Sequence, residues 1–396
     1  MTGAAGRSGS ELFIGLMSGT SIDAVDGVVA RFSEDGRLED TLADASVPIP
    51  PELRRQLSVL QSPGPDELAA AALAGNALAD LYADCVALLL KQANLGASAI
   101  AALGAHGQTV RHDPARGYTI QLLNGARLAE RSGIDTVADL RSADVAAGGE
   151  GAPLVPAFHA RVFGNVSSCR AIVNIGGIAN ISVLGAAAST EQDSAVLSSS
   201  PRPSGPPATV IGYDTGPGNT LMDAWCEQHC GKHFDQDGRW AATGQADYAL
   251  LQRMLTDAYF AAPPPKSTGR DLFNLAWLQR QLMAPLAPED VQASLLELTV
   301  ASIAAACRRH LVAEVFICGG GAANQQLMHR LEAALPGVPL QTTAALGLHP
   351  QAVEATAFAW LAHRRIKQLA GNLPLVTGAS GPRILGALYA SSSREG

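Results

Sequence analysis

The chain has 396 residues, enough for two or three domains of about 100–200 residues each, and 47% of them are hydrophobic against 16% charged. A formal net charge of -8 excludes the broad basic face that a nucleic-acid binder needs, while local cations can still hold a small acidic ligand. Plentiful glycine (40 residues) and scarce aromatics (5%) point to a tightly packed α/β protein with many turns.

Met1 to Glu11 is small and polar, without the charged start and apolar stretch of a signal peptide. No uninterrupted apolar run reaches the ~18–20 residues of a membrane helix. The cysteines at 85, 169, 226, 230, 307 and 318 therefore read as reduced thiols in the cytoplasm. Neither a membrane nor a nucleic-acid partner is expected.

Leu12 to Leu16 and Val28 to Phe32 are apolar runs of strand length. Between them lie Ser18, Gly19, Thr20 and Ser21, then Asp23 and Asp26. Small residues let backbone approach an anion, and their N–H and O–H groups can cradle phosphate. The two carboxylates offer hard oxygen ligands for Mg²⁺, directly or through water. An ordinary polar hairpin explains the same residues equally well.

Pro51 to Leu60 predicts a short helix, and Asp66 to Asn94 a long one. Ile100 to Ala105 reads as a buried strand delivering His106, Gly107, Gln108 and Thr109, polar residues placed at a strand's carboxyl end. Tyr118 to Leu122 is a further strand, Asn124 to Ser132 a helix, and Thr136 to Leu140 a strand running into Arg141. The glycines of 148–151 mark a crossing, and the domain boundary is placed just before it, near residue 135. This divides the chain into an N-terminal lobe, 1–135, and a C-terminal lobe, 136–396.

Ala171 to Ile175 and Ile181 to Leu184 repeat the strand–small turn–strand pattern around Gly176 and Gly177. Residues 186–208, rich in Ser, Ala and Pro, read as a disordered insertion without chemistry. Thr209 to Gly212 is a strand, Asp214 to Asn219 a Gly-rich turn, and Thr220 to His229 a helix. Cys226, His229 and Cys230 share one face of that helix; packing is preferred over Zn²⁺, since no second ligand-bearing element is evident. Pro263 to Asp271 is a rigid basic loop. A long helix runs to Leu311, and Glu314 to Cys318 is a strand entering Gly319 to Asn324, where a base or ribose can lie on bare backbone. Helices follow over Gln325 to Ala334 and Val353 to Leu369. Neither a Walker A sequence nor a G-x-G-x-x-G fingerprint is present.

The ordered set Gly15–Asp26, His106–Thr109, Ala138–Phe158, Asn174–Ser182, Asp214–Asp223, Pro264–Asn274, Gly319–Asn324, Glu354–Leu361 and Asn372–Gly378 resembles the anhydro-N-acetylmuramic acid kinases. The resemblance runs nearly end to end. It implies the two-lobed actin-like ATPase (ribonuclease H-like) α/β fold, with an interlobe active-site cleft and part of 360–396 packing on the first lobe. It also implies a phosphotransferase with an alcohol-group acceptor. ATP would phosphorylate 1,6-anhydro-N-acetylmuramic acid at O6 while water opens the anhydro ring, giving N-acetylmuramic acid 6-phosphate for cell-wall recycling. The family's ATP loop falls on Gly19, Thr20, Ser21, Ile22, Asp23, Ala24, Val25 and Asp26, with Ala24 replacing the usual glycine. The catalytic Asp falls on Asp214. Gly216 and Gly218 would meet phosphate; Gly320, Gly321 and Asn324 would meet adenosine; and Thr109, Arg141 and Glu354 the sugar. Mg²⁺ would sit by Asp23 or Asp26. A homodimer is compatible with the sequence. The alternatives are a kinase for another sugar or small acid on this fold, and a non-sugar actin-like ATPase.

Overall fold

The computed structural model describes residues 9–19, 21–164, 168–185 and 209–392. Thr20 and the 186–208 insertion lie outside the described residues. The chain divides into two units, Met1–Val162 with Ala352–Gly396, and Phe163–Gln351.

Unit 1 begins with three antiparallel strands, β1 (Glu11–Ser18), β2 (Ala24–Phe32) and β3 (Leu38–Pro48). Helices α1 (Pro51–Val59) and α2 (Glu67–Ala93) lead to β4 (Ile100–Ala105), which pairs parallel with β1. The hairpin β5 (Gln108–Asp113) and β6 (Tyr118–Leu122) precedes α3 (Gly125–Ser132) and β7 (Thr136–Ala138), parallel to β4. Two helices follow, α4 (Ser142–Ala146) and α5 (Val155–Phe163).

Unit 2 repeats the pattern. β8 (Arg170–Ile175), β9 (Ile178–Leu184) and β10 (Val210–Pro217) are antiparallel. Helices α6 (Thr220–Cys230), α7 (Tyr248–Leu255), α8 (Ala258–Ala261), α9 (Leu275–Gln281) and α10 (Pro288–Arg309) lead to β11 (Glu314–Cys318), parallel to β8. α11 (Gln325–Ala334) then returns to β12 (Leu340–Thr342), parallel to β11. The chain re-enters unit 1 as α12 (Val353–Ile366), α13 (Pro374–Thr377) and the edge strand β13 (Ala387–Tyr389), antiparallel to β7.

Apart from the edge strand β13, the sheets therefore share one order, β3-β2-β1-β4-β7 and β10-β9-β8-β11-β12, with the same strand directions. This duplicated α/β arrangement is the actin-like fold expected from the resemblance. The boundary is not near 135. Thr136–Ala138 pairs with Leu103 and Gly104 inside the first sheet, and the division falls at 162/163. The whole segment from Ala352 belongs to unit 1, more than the part of 360–396 anticipated.

Alternation along β1 explains how unit 1 packs. Leu12, Ile14 and Leu16 join Leu78, Tyr82 and Val86 of α2 in one core. On the opposite face Phe13 meets His363 of α12 edge-on at 5.3 Å. Gly15 and Gly104 are paired across β1 and β4. A Cβ on Gly15 would lie 1.8 Å from the Ala355 carbonyl, and one on Gly104 2.1 Å from that of Phe358. The backbone of α12 thus rests directly on a glycine surface.

Length and composition alone would let α2 and α10 cross a membrane. Neither holds an unbroken apolar run of that length, because Asp80, Asp84 and Glu297 interrupt them. In the fold 78% of the most apolar stretch of α10 is buried, as is half of that of α2. Both supply core side chains to their units.

Candidate active site

In unit 1 the small polar residues connect β1 to β2. The Gly19 carbonyl accepts from the Ile22 N–H (3.1 Å) and from Gln108 Nε2 (3.2 Å). Ile22 has φ 53°, a left-handed conformation that a β-branched residue rarely adopts, and its side chain is buried in the α2-facing core. That anchor holds a turn whose strain is on the order of 1–3 kcal/mol. Asp23 is exposed; its Oδ1 accepts from Ser21 Oγ (2.6 Å) and the Ala24 N–H (3.0 Å). Ala24 starts β2 without a positive φ, so its backbone accommodates a methyl without strain. Val25 is fully buried; like Ile22, it has only backbone to offer a ligand. Asp26 is partly buried in β2. Burial pushes its carboxyl pKa up, Ser46 opposes this through a hydrogen bond, and the Asp23 charge adds to it.

Thr109 lies in β5, partly exposed, and its hydroxyl accepts from Gln121 (3.4 Å). Arg141 precedes α4, enclosed by protein but with a partly exposed edge. Its Nε and one terminal nitrogen both reach His106 Nε2, at 3.2 and 2.9 Å, and the other terminal nitrogen donates to the Gly151 carbonyl at 2.8 Å. Burial lowers its pKa to about 10, while the charges of Glu354 and Asp144 pull it back up. Glu354 sits in the first turn of α12. The structure thus brings Arg141 and Glu354 together, with two residues the sequence reading left unassigned. One is His106. The other is Asp144, fully buried, whose carboxylate accepts from the Gly151 N–H (2.8 Å), Asn372 Nδ2 (2.6 Å) and Thr377 Oγ1 (2.8 Å). Asp144 ties the returning tail to the Gly-rich crossing.

Unit 1 also carries an acid-sensitive set. Burial lowers the pKa of His106 and His159 to about 3 and that of His363 to about 4. A depressed folded-state pKa means the unfolded chain binds the proton more tightly. Stability is therefore lost as pH falls from about 6.5 toward those values, by up to about 2 kcal/mol per histidine at pH 5. Limited proteolysis at pH 7 and pH 5, resolved by mass spectrometry, should show unit 1 cut first at the lower pH. Equal protection of both units would contradict this.

In unit 2, Asp214 lies in β10 rather than in a turn; the strand continues to Pro217 across a bulge between Asp214 and Gly216. Its Oδ2 accepts from the Thr268 N–H (3.0 Å), its own N–H donates to the Lys266 carbonyl (3.1 Å), and the Tyr259 hydroxyl donates to its carbonyl (2.6 Å). Burial raises its carboxyl to about 6, against the Thr268 hydrogen bond and the Lys266 charge, yet the residue keeps a partly exposed edge. Lys266 itself donates to the Tyr259 carbonyl (2.9 Å), so the basic loop braces the strand carrying Asp214.

The glycine turns meet at one end of the second sheet. The N–H groups of Gly218 and Thr220 donate to the Gly177 carbonyl (2.9 and 3.0 Å), and that of Asn219 to the Gly176 carbonyl (2.8 Å). Gly218 therefore lacks the free N–H its predicted phosphate role needs. A Cβ there would stand 2.3 Å from the Gly176 carbonyl, so close turn-on-turn packing is what requires the glycine. Gly216 is packed against Phe260. Gly320 is exposed bare backbone, Gly321 packs on Ile175, and Asn324 caps α11 by accepting from the Leu327 N–H (3.0 Å). Asn174 Oδ1 is buried beside Gly319 with no hydrogen-bond partner.

The Zn²⁺ alternative gains no support. Cys226 is buried, Cys230 is exposed, and the His229 ring packs at a tilt against Trp225, with centroids 4.0 Å apart. No group of three or more His, Cys, Asp or Glu suited to a metal occurs among the described residues. The Asp23 and Asp26 pair fits only an ion that takes most of its ligands from phosphate and water, as Mg²⁺ does. A pocket of ≈ 430 Å³ between α7, α10 and α11 is lined by Tyr248, Gln326 and Arg330 among others, and by none of the predicted site residues.

A sequence model of anhydro-N-acetylmuramic acid kinases matches residues 11–193 and 203–391. The chain belongs to the anhydro-N-acetylmuramic acid kinase family. A family member from Albidiferax ferrireducens is 52% identical over 389 residues, covering 96% of this chain and 99% of its own. Another, from Burkholderia cenocepacia, is 51% identical over 386 residues, covering 96% of each. Among solved structures, the activator of a 2-hydroxyisocaproyl-CoA dehydratase from Clostridium difficile, with bound ADPNP, is 13% identical at a TM-score of 0.43, covering 90% of this chain and 96% of its own. A ROK hexokinase from Thermus thermophilus is 16% identical at 0.35, covering 89% and 99%. The family match breaks only at 194–202, inside the Ser- and Pro-rich stretch.

Proposed function

We propose that this chain is a kinase that transfers the γ-phosphoryl group of ATP to O6 of 1,6-anhydro-N-acetylmuramic acid while water opens the anhydro ring. The observation that carries this beyond family membership is Asp214, a carboxyl raised by burial to about 6 that keeps an exposed edge. A general base works best with a pKa near the operating pH.

The chemistry needs such a group. O6 is an ether oxygen with no proton to lose. Water attacks C1, its proton passes to Asp214, and the C1–O6 bond breaks with its electron pair on O6. O6 then attacks the γ-phosphorus and ADP leaves. Phosphoryl transfer is chiefly positioning and charge stabilisation. Sugar contacts are assigned to Arg141, Thr109 and Glu354, and the base to Asp214. Gly19 to Asp26 of unit 1 are assigned to ATP phosphate, and the open Gly320 backbone of unit 2 to adenosine. Asp23 or Asp26 would hold Mg²⁺, directly or through water, and the ion would supply charge neutralisation at the phosphates. The work is placed in the cytoplasm, in cell-wall recycling.

Turnover in ¹⁸O-water with the anhydro sugar should give ADP and a product labelled at C1. A phosphorylated product without label would favour a kinase of ordinary alcohols. ADP release that ignores the sugar would favour an assembly ATPase.

A further inference from the structure

We infer that His106 is a positioning residue for the sugar site: a permanently neutral imidazole, protonated on Nδ1, that fixes the Arg141 guanidinium while leaving its positive charge for a carboxylate-bearing sugar. The inference rests on the reading that Arg141 meets the sugar.

The geometry sets the tautomer. Arginine has only donors, and two nitrogens of Arg141 converge on His106 Nε2, so Nε2 is the acceptor. The ring proton must then sit on Nδ1, which lies 2.8 Å from the Gly107 carbonyl and donates to it. The residue is 5% exposed, and its ring packs at a tilt against Phe358, with centroids 4.8 Å apart. The His106 N–H is held by the Leu16 carbonyl at 3.0 Å, which ties the segment to β1. Both ring nitrogens thus have an assigned partner, and a second ring proton would point at the cation.

A neutral acceptor differs from the usual arginine partner. A carboxylate at this position would hold the guanidinium as firmly but cancel its charge. The contacts to His106 and Gly151 occupy three of the five N–H groups that a guanidinium possesses. Two donors remain, along with the partly exposed edge of the residue. Glu354 and Asp144 act on Arg141 through charge; Asp144 is already committed to Gly151, Asn372 and Thr377. A muramic acid differs from a simple aminosugar by its lactyl carboxylate, a group that the unused N–H donors of a guanidinium suit.

Three variants separate the alternatives. In H106F the ring shape stays and the acceptor is lost; KM for the anhydro-muramic sugar should rise at least tenfold while KM for ATP stays within twofold. H106Q places an amide oxygen near the Nε2 position and should recover most of that loss. H106E keeps an acceptor but adds a negative charge, and should erase the preference for the anhydro-muramic sugar over the anhydro-N-acetylglucosamine analogue. An unchanged sugar KM in H106F, or an unchanged preference in H106E, would overturn the inference. A readout independent of any sugar is the ¹⁵N spectrum of histidine-labelled protein, with His106 assigned by its loss in H106F. It should show the Nδ1–H tautomer without titration from pH 5 to 8; an Nε2–H tautomer, or titration in that window, would overturn the inference even if the enzyme acted on another sugar. Failure of the wild-type chain to use the anhydro sugar, with that spectrum intact, would count against the proposed substrate alone.

Discussion

The D214N variant is expected to lose turnover by about 10²–10⁴-fold, the usual contribution of a general base, and at pH 8 to be more stable than the wild type. Loss of activity alone would fit any damaged site; the gain in stability would not. Burial raises the Asp214 carboxyl from 3.8 to about 6 in the folded chain. A raised folded-state pKa means that the folded form binds the proton more tightly than the unfolded one. The associated stability is fully present below the unfolded value and is lost as pH rises through about 6. At pH 8 the wild type carries the full cost of the buried charge, at most about 3 kcal/mol at 1.36 kcal/mol per pKa unit. The variant never carries it, and its amide oxygen can still accept from the Thr268 N–H. Urea unfolding at pH 8 and pH 5 should show the variant's advantage shrinking at the lower pH. In the wild type, kcat/KM should fall as pH drops below about 6. Activity within tenfold of wild type in D214N would remove Asp214 from the base role.

Why Asp214 has this character was not legible in the sequence. Asp-Thr-Gly-Pro-Gly looks like a turn, because Gly and Pro punctuate chains. The paired strand β9 and the bulge at Asp214 extend β10 through it instead. β3 is hard to read for a related reason: Glu39, Asp40 and Asp44 blur the alternation of an edge strand whose outward face is polar. β5 is hidden in the same way: Gln108 and Thr109 read only as the polar end of β4, and its partner β6 is what makes Gln108–Asp113 a strand. Periodic segments with punctuated ends, such as Glu67–Ala93, Glu314–Cys318 and Gln325–Ala334, were legible within a residue or so. So were the glycine turns as a class. What each glycine does was not. Gly218 and Gly321 serve packing and Gly320 is open, a distinction made by atoms from β8 and the β8–β9 turn. The His106–Arg141 contact spans 35 residues, and the Asp144–Thr377 contact 233. No local pattern reports either one.

Gly319 gives the sharpest test of that end of the second sheet. The turn from β11 into α11 begins at Gly319, with φ 79° and ψ 178°, a region essentially reserved for glycine. A Cβ there would lie 2.2 Å from Asn174 Oδ1 and 2.8 Å from the Ile175 carbonyl oxygen. The Asn174 side chain can turn aside; the Ile175 backbone, paired in β8, cannot. G319A should therefore displace the turn that presents Gly320 and starts α11, raising KM for ATP at least tenfold with little change in KM for the sugar. Backbone strain and overpacking together should cost about 2–5 kcal/mol, read as a lower urea midpoint. The control is G337A. Gly337 has a similar φ of 81°, but a Cβ there meets nothing within 4 Å. That variant should lose only the ~1–2 kcal/mol of a left-handed alanine and keep its nucleotide kinetics. If G319A behaves like G337A, the turn yields without disturbing the nucleotide, and the bare backbone at Gly320 is not where adenosine rests.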